Sequence, residues 1–301
     1  MAHDTPCLLI TGAGGQVGFE LSRALSVLGR VVALDRRQCD LGDERSIRNA
    51  VSLYRPDVII NAGAWTAVDK AESESEAAFA VNAAAPGVLA QEAEQSGALL
   101  VHYSTDYVFD GKKSRAYTEE DMTAPLSVYG RSKLAGEQAV MAATGRHLIF
   151  RTSWVYGAYG SNFMKTILRL ARERDRMTMV ADQVGAPTGA ALIADTTAQI
   201  LARYLQGGRE QVFPYGLYHL TAAGEASWLQ YARFIVEQAG QMGIPLLLSA
   251  SAIDPIPGSA YPLPAKRPGN SRLDTDKLQR TFGLVMPHWH DGVRHALRLL
   301  A

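Results

Sequence analysis

The feature that most constrains the fold is a glycine-rich turn between an apolar segment and an amphipathic segment near the N-terminus. Residues 7–11 form a short apolar run, and glycines recur directly after it at every third position. Apolar side chains then recur at helical spacing, at Val17, Leu21, Leu25 and Leu28. This order predicts a buried strand, a tight turn, and a helix that packs back onto the strand.

The N-terminal half of the chain repeats this alternation of strand and helix. Further strands are predicted at 31–34, 57–61, 99–104 and 147–152, with helical stretches between them. Strands that alternate with helices of this length form a parallel sheet with helices on both faces. Right-handed crossovers then predict an α/β fold with a doubly wound, Rossmann-type sheet.

Composition and charge argue against several functional classes. The 301 residues include 47% hydrophobic and 20% charged residues, and 30 basic side chains balance 30 acidic ones. This balance creates no global field that would attract nucleic acid or an anionic membrane. Two cysteines, Cys7 and Cys39, provide no disulfide framework. Because there is no signal-peptide pattern and no apolar run of about 20 residues, we expect a soluble, cytoplasmic protein.

The three glycines of the first turn suit a bound pyrophosphate. Gly12, Gly15 and Gly18 would allow a tight turn, close approach of the backbone, and close packing of helix on strand. The helix that begins near Gln16 and Val17 would offer free N–H groups and a positive dipole to the phosphates. The sequence therefore predicts that a dinucleotide binds here.

The end of the second predicted strand bears on which dinucleotide is used. Asp35 could accept a hydrogen bond from the ribose 2′-hydroxyl of NAD, whereas Arg36 and Arg37 could pair with the 2′-phosphate of NADP. We expect NADPH, with tolerance for NADH. Asp40 and Leu41 would lie against the adenine ring.

The third predicted strand ends in small residues at the same edge of the sheet. Asn61, Ala62 and Gly63 stand where a backbone would have to approach the cofactor. The alternative is that these residues only form a tight exit from the strand.

A second motif adds reactive groups to this frame. Tyr129 precedes Lys133 by four residues, which places both side chains on one face of a helix. A phenol is a poor proton donor until its pKa falls from about 10, and a neighbouring ammonium favours the phenolate. Thr105 follows the fourth predicted strand directly, and its hydroxyl could hold a carbonyl oxygen. Together these residues predict carbonyl reduction, or its reverse, beside a nicotinamide.

Six segments carry a resemblance to a known family. They are NAGAWTAVDKAE at 61–72, HYSTDYVFDG at 102–111, PLSVYGRSKLAGE at 125–137, FRTSWVY at 150–156, DQVGAPTG at 182–189 and RPGNSRL at 267–273. The chain resembles the extended short-chain dehydrogenase/reductase superfamily and, within it, the dTDP-4-dehydrorhamnose reductases. The resemblance implies NADPH-dependent reduction of the 4-keto group of a dTDP-sugar, dTDP-4-dehydro-6-deoxy-L-mannose, to give dTDP-L-rhamnose.

The same resemblance implies roles for individual residues. Thr105, Tyr129 and Lys133 would be the catalytic group: Tyr129 would donate the proton, and Lys133 would hold the ribose and lower the tyrosine pKa. The residues that would contact the substrate are Val68, Thr105, Asp106, Tyr107, Trp154 and, at its pyrophosphate, Arg267. Two of these have a simpler alternative, because Trp154 could fill core and Arg267 could be a surface arginine.

The chain departs from one property of its relatives. Some members bind Mg²⁺ through glutamates at a dimer interface, and Glu20 matches the first of these positions. Ala191 replaces the acidic residue expected second, and the third position falls near His290-Asp291. A hard cation needs several oxygen ligands, so we expect no tightly bound Mg²⁺ and a monomer or weak homodimer. His288 and His290 are too few ligands to indicate a softer metal.

Other functional classes stay open on the sequence alone. Related dehydratases typically follow the threonine with Asp-Glu, whereas Asp106-Tyr107 stands here, so the acid and base for eliminating water are incomplete. A sugar-nucleotide epimerase or another ketoreductase would share the fold. A non-catalytic regulatory subunit that binds NADP would keep the cofactor site without turnover.

The predicted division of the chain follows its composition. Residues 1–152 would form an NADP(H)-binding Rossmann domain, to which the chain would return around 188–222. Residues 153–187 and 223–301 would form a smaller, discontinuous α/β domain that binds substrate over the carboxyl ends of the strands. The loops rich in proline and glycine at 254–270 would form an irregular arm of this second domain.

Overall fold

The computed structural model describes residues 5–207 and 212–300, and its centre is a parallel sheet. Along the chain the strands are β1 (Cys7–Thr11), β2 (Arg30–Leu34), β3 (Val58–Asn61), β4 (Leu99–Thr105), β5 (His147–Thr152), β6 (Val155–Tyr156), β7 (Met177–Val180), β8 (Val184–Gly185), β9 (Thr188–Gly189), β10 (Gly216–His219), β11 (Ala226–Ser227) and β12 (Ile253–Ile256). The six-stranded sheet has the order β2-β1-β3-β4-β5-β10, with parallel neighbours throughout. The predicted doubly wound α/β fold is confirmed, and its order reverses between β1 and β3, where such sheets bind ligands.

The helices connect these strands and cover both faces. They are α1 (Gln16–Ala24), α2 (Glu44–Tyr54), α3 (Val68–Ala71), α4 (Ser75–Phe79), α5 (Ala85–Ser96), α6 (Val128–Ala143), α7 (Phe163–Glu173), α8 (Ala190–Gly207), α9 (Trp228–Gln241), α10 (Asp276–Phe282) and α11 (Trp289–Arg298). Between β3 and β4 a π-helical turn at Ala80–Ala84 separates α4 from α5. An extra residue in a helical turn changes the direction in which the following side chains point, and such turns are frequent near functional sites.

Alternate residues of each strand pack against different helical layers. Leu8 and Ile10 of β1 belong to an apolar core shared with α1 and α8, whereas Leu9 belongs to the core shared with α2 and α5. All three side chains are fully buried. The strands therefore appear in the sequence as continuous apolar runs, which is typical of a sheet covered on both faces.

A separate apolar cluster lies in the C-terminal part of the chain. It contains Met164 and Ile167 of α7, Tyr231 of α9, and Trp289 and Val293 of α11. Between these helices the chain returns to the main sheet, where β10 pairs with β5. Residues 208–211, within the predicted return, lie outside the described residues. The division into domains stays a prediction.

The structure also bears on targeting and redox chemistry. Across residues 5–207 and 212–300, the structure has no helix that is both long and apolar enough to span a bilayer. Cys7 and Cys39 are free and buried, so each packs as a small hydrophobic side chain. Residues 1–4, on which the expectation of no signal peptide partly rests, lie outside the described residues.

A buried ion pair fixes α6 to the sheet. Arg151 of β5 donates from Nε and Nη2 to the two carboxylate oxygens of Glu137, at 2.9 and 2.6 Å. The side chains are 5% and 0% exposed, and the guanidinium also lies 5.0 Å from the Phe109 ring centre. A forked pair of this kind constrains orientation as well as distance, so it fixes how α6 lies against β5.

We predict that Glu137→Ala lowers the free energy of unfolding by about 3–5 kcal/mol, because it leaves the Arg151 charge buried without a partner. Urea denaturation measures the change. Glu173→Ala is the control, since it breaks the exposed Arg169–Glu173 pair and should cost less than about 1 kcal/mol. Equal losses in the two variants would contradict the assignment.

Candidate active site

The glycine loop after β1 forms a cradle of bare backbone. Gly12 has a φ of 73°, and a Cβ at this position would lie 2.4 Å from the Cα of Gly63 at the end of β3. A Cβ at Gly18 would lie 2.2 Å from the carbonyl oxygen of Gly12, so α1 can approach the loop only with glycine there. Gly15 caps α1 with extended backbone and no side-chain hydrogen bond. The helix N-terminus thus presents its N–H groups to the edge where a phosphate would fit.

A cavity of about 480 Å³ opens over this edge of the sheet. The predicted cofactor residues that line it are Gly12, Gly15, Gln16, Val17, Arg36, Asp40, Leu41, Ala62, Gly63, Tyr129 and Lys133. The glycine loop and the Tyr-Lys pair, which are more than 100 residues apart in the sequence, therefore share one cavity.

The cavity also has lining residues that the sequence analysis did not assign to the cofactor. They are Gly14, Cys39, Ala64, Trp65, Thr66, Val81, Tyr103, Ser104, Thr152, Val155, Gly160 and Ser161. Trp65 is held through its backbone by Asn82 of the π-helical turn, which donates to the Trp65 carbonyl and accepts from its N–H at 3.1 and 2.8 Å. A lone asparagine inside a helical pattern gave no sequence signal for this contact.

Three residues that the sequence predicts to bind the cofactor do not line the cavity. Gly18 lies beneath the glycine loop, where α1 packs on it. Asp35 accepts hydrogen bonds from the backbone N–H groups of Arg37 and Gln38, at 2.8 and 3.1 Å, so its carboxylate closes its own turn. Asn61 is 1% exposed, and its side chain contacts Thr11 and His102 inside the sheet.

The reactive side chains meet where β4 ends and α6 begins. Ser127 caps α6 by accepting from the Gly130 N–H at 3.1 Å, which places Tyr129 in the first turn. A Cβ at Gly130 would lie 2.3 Å from the Tyr107 carbonyl oxygen, so α6 packs directly on the 3₁₀ turn after β4. The Thr105 hydroxyl lies near enough to the Tyr129 phenol to affect its pKa. The structure therefore brings the predicted threonine and tyrosine together.

Burial dominates the electrostatics of the pair. It raises the pKa of Tyr129 to about 12, and the nearby Thr105 hydroxyl opposes this rise. Burial lowers the pKa of Lys133 to about 8, while the negative charge of Glu137 opposes the fall. The family resemblance implies that Lys133 lowers the tyrosine pKa. The direction is the opposite here, because loss of water around Tyr129 outweighs any stabilisation of its phenolate.

Asp106 is a buried carboxyl group beside this pair. Its Oδ1 accepts from the Thr105 hydroxyl at 3.0 Å, and the residue is 3% exposed. Burial raises its pKa to about 7, and the nearby hydroxyls of Ser271 and Thr105 oppose the rise. A buried carboxyl group whose pKa is shifted so far toward neutrality, next to the predicted catalytic threonine, is a candidate functional position.

Three predicted substrate residues lie around an aromatic contact. The Tyr107 ring meets the Tyr129 ring edge-on at 5.7 Å, and the Arg267 guanidinium lies 5.9 Å from the Tyr107 ring centre. Arg267 also donates to the Asp69 carboxylate at 2.7 Å, in the short helix α3 that Val68 begins. The arginine is therefore largely buried and paired, rather than a free surface side chain.

Trp154 occupies a different environment. It has a φ of 48°, and its ring stacks on that of Trp228 with centres 3.5 Å apart. A Cβ at Gly185 would lie 2.6 Å from the indole ring. The Trp154 side chain is partly buried and packs against the C-terminal apolar cluster. This agrees with the alternative that Trp154 fills core.

The candidate metal positions remain apart. In the part of the chain that the structure describes, no three His, Cys, Asp or Glu side chains converge on a point that could hold an ion. Glu20 pairs with Arg23, which also pairs with Asp195. His290 stacks on Phe234. The expectation that Mg²⁺ is not tightly bound stays a prediction.

Comparison with known proteins places this site in a family. Residues 7–301 match the sequence model described as the RmlD substrate binding domain. The chain belongs to this family. A dTDP-4-dehydrorhamnose reductase of Burkholderia thailandensis is 50% identical over 291 residues, which cover 97% of this chain and 98% of that protein. The resemblance noted in the sequence is thereby confirmed.

Solved structures of the same kind match over nearly their whole length. A dTDP-4-dehydrorhamnose reductase from Clostridium acetobutylicum has a TM-score of 0.89 and 34% identity, covering 98% of this chain and 99% of that one. The enzyme of that name from Bacillus anthracis, solved in complex with NADP, has a TM-score of 0.86 and 32% identity, with the same coverage. Family membership and fold thus agree.

We predict that Asp106→Asn stabilises the protein at alkaline pH. The unfolded carboxyl group releases its proton near pH 4 and the folded one only near pH 7, so this group lowers the stability of the native protein progressively between those values. The asparagine removes this penalty, which reaches at most about 4 kcal/mol above pH 7.

Urea denaturation of both proteins at about pH 4.5 and pH 8 measures the effect. The exposed Asp175→Asn is the control and should give the same difference from the native protein at both pH values. An Asp106→Asn variant with an equally pH-independent effect would show that the carboxyl group does not titrate as described.

Proposed function

We propose that this chain reduces the 4-keto group of dTDP-4-dehydro-6-deoxy-L-mannose with NADPH and releases dTDP-L-rhamnose. The observation that carries the proposal is the convergence of Tyr129, Lys133 and the glycine loop on one cavity. The 50% identity to a curated reductase over 97% of the chain supports the specific substrate.

The residues present fit a bound dinucleotide. The bare backbone at Gly12, which a Cβ would obstruct, allows a pyrophosphate to approach the N-terminus of α1. At the other end of the cavity, the ammonium of Lys133 would bind the hydroxyls of the nicotinamide ribose. When bound, NADPH supplies the hydride for the ketone carbon.

The protein side chains supply the proton and its placement. With a pKa of about 12, Tyr129 holds its proton at neutral pH until negative charge develops on the substrate oxygen. The phenol O–H then donates to the alkoxide at position 4, and a hydroxyl group results. Thr105, beside Tyr129, would exchange its hydrogen bond to Asp106 for one to the same oxygen and so orient it. Arg267, beside Tyr107, is placed to bind the substrate pyrophosphate by exchanging its bond to Asp69.

The cofactor preference follows from the end of β2. The Asp35 carboxylate is occupied by its own turn, whereas Arg36 lines the cavity and lies 3.8 Å from Asp40. A guanidinium in this position would bind a ribose 2′-phosphate. This arrangement supports NADPH as the preferred cofactor, with NADH accepted less well. A cytoplasmic location, and a monomer or weak homodimer, stay predictions from the sequence.

An activity assay tests the function directly. Purified protein is mixed with NADPH and dTDP-4-dehydro-6-deoxy-L-mannose, and the nicotinamide absorbance is followed. The proposal predicts oxidation of one NADPH for each sugar reduced. An epimerase would convert the sugar without net oxidation, and a regulatory subunit would bind NADP without turnover; either result would overturn the proposal.

Tyr129→Phe should lower kcat by about 10²- to 10⁴-fold, because it removes the proton donor while leaving the ring in place. Fluorescence titration should give a dissociation constant for NADPH close to that of the native protein. Tyr54→Phe, in α2 away from the cavity, is the matched control and should keep full turnover. Intact turnover in Tyr129→Phe would refute the assignment.

Arg36→Ala should raise KM for NADPH about tenfold and leave KM for NADH nearly unchanged, because only NADPH carries the 2′-phosphate that the guanidinium would bind. Arg37→Ala is the control, since Arg37 is not among the residues that line the cavity. If both variants lost NADPH affinity equally, general positive charge rather than a specific contact would be responsible.

A further inference from the structure

Lys133 is an ammonium group enclosed by protein. The residue is 2% exposed, and its Nζ donates to the Tyr103 carbonyl oxygen at 2.6 Å. Its second contact is the Nε2 atom of His102, at 3.3 Å. Both acceptors belong to adjacent residues of β4. A buried charge is costly without partners, so these two contacts decide where the ammonium lies.

His102 belongs to a polar row that crosses the sheet. In register, Thr11 of β1 pairs with Asn61 of β3, and Asn61 pairs with His102 of β4. The Thr11 hydroxyl donates to Oδ1 of Asn61 at 2.8 Å, and Nδ2 of Asn61 lies 3.1 Å from Nδ1 of His102. All three residues are at most 1% exposed. These three lateral neighbours form one hydrogen-bonded chain that ends at Lys133.

The charge of Lys133 determines the direction of this chain. An ammonium group only donates, so Nε2 of His102 must accept and its single proton must be on Nδ1. Nδ1–H can donate only to an acceptor, so this tautomer requires the Asn61 amide to be turned by 180° from its orientation in the structure, with Oδ1 toward the ring and Nδ2 toward Thr11. The two amide orientations have the same shape. Burial and the Lys133 charge hold the pKa of His102 well below its usual range, in agreement with a neutral ring.

We infer that His102 is a positioning residue for the reaction, whose neutral ring accepts a hydrogen bond from Lys133 and aims the ammonium at the cofactor ribose beside Tyr129. The inference rests on the proposed function for the role of Lys133. Lys133 sets the tautomer of the ring, the Asn61 amide can accommodate it in either orientation, and the pairing of β1, β3 and β4 fixes the position of the ring.

Two substitutions of His102 distinguish a role in positioning Lys133 from a role in packing alone. The amide of a glutamine at 102 reaches the place of Nε2 and can still accept from Lys133, whereas that of an asparagine reaches only the place of Nδ1. We expect His102→Asn to lower kcat/KM and NADPH affinity about ten- to a hundredfold, as loss of a hydrogen bond to a charged group predicts. His102→Gln should stay within about threefold of the native protein.

Several results would overturn the inference. Equal losses in His102→Asn and His102→Gln, or native values in both, would mean that His102 does not act through Lys133. Thermal unfolding of each variant establishes that the measured protein is folded. NADPH affinity is measured without the sugar, so it tests the inference separately from the reaction. If the native protein failed to reduce the sugar but His102→Asn still bound NADPH more weakly, the proposed function would be refuted and this inference would stand.

A spectroscopic test needs only the native protein. Two-bond ¹H–¹⁵N correlation spectra distinguish the two neutral tautomers of histidine, and the His102→Gln variant assigns the resonance. The inference requires a neutral ring with its proton on Nδ1 at pH 7. A proton on Nε2, or a doubly protonated ring, would exclude acceptance from Lys133 and overturn it.

Discussion

The in-register parallel pairing of β1, β3 and β4 is the constraint on which the site depends. Because the three strands run in the same direction, their carboxyl ends reach one edge, with the glycine loop after β1, Gly63 after β3 and Thr105 at the end of β4. The pairing of Asn61 with His102 also forms the polar row beneath Lys133. A slip of one residue would turn every one of these side chains to the opposite face.

The apolar core makes the unusual electrostatics of the edge possible. Lys133 and Asp106 are enclosed and Tyr129 is half-buried, and burial shifts the pKa of each in favour of its neutral form. Such groups destabilise a fold, and the two apolar layers of the sheet and the buried Glu137–Arg151 pair oppose that cost. The consequence is a site where a phenol keeps its proton and an ammonium is held by protein atoms. Both conditions suit transfer of a proton to an oxygen that gains charge only during the reaction.

Local patterns in the sequence predicted the frame but not the contacts that complete it. The glycine spacing and the apolar runs identify the strand–loop–helix unit and the doubly wound sheet because both depend on neighbouring residues. Asn61 illustrates the limit: its place at the end of a strand indicates a residue near the cofactor, but strand register turns its side chain into the sheet. His102 gave no sequence signal, since its partner Lys133 is 31 residues away. The sequence predicts a lower pKa for Tyr129, because the spacing to Lys133 shows a neighbouring charge. The burial that raises this pKa depends on the fold and cannot be read from the spacing.

The central claim is that this edge of the sheet brings a hydride donor and a proton donor to one carbonyl group. The most direct measurement is turnover of the keto sugar with NADPH that carries deuterium at the transferable position of the nicotinamide, followed by mass spectrometry and NMR of the product. The account predicts one deuterium per sugar, bound at carbon 4, and one NADP⁺ formed for each product. A product without deuterium at carbon 4 would contradict it.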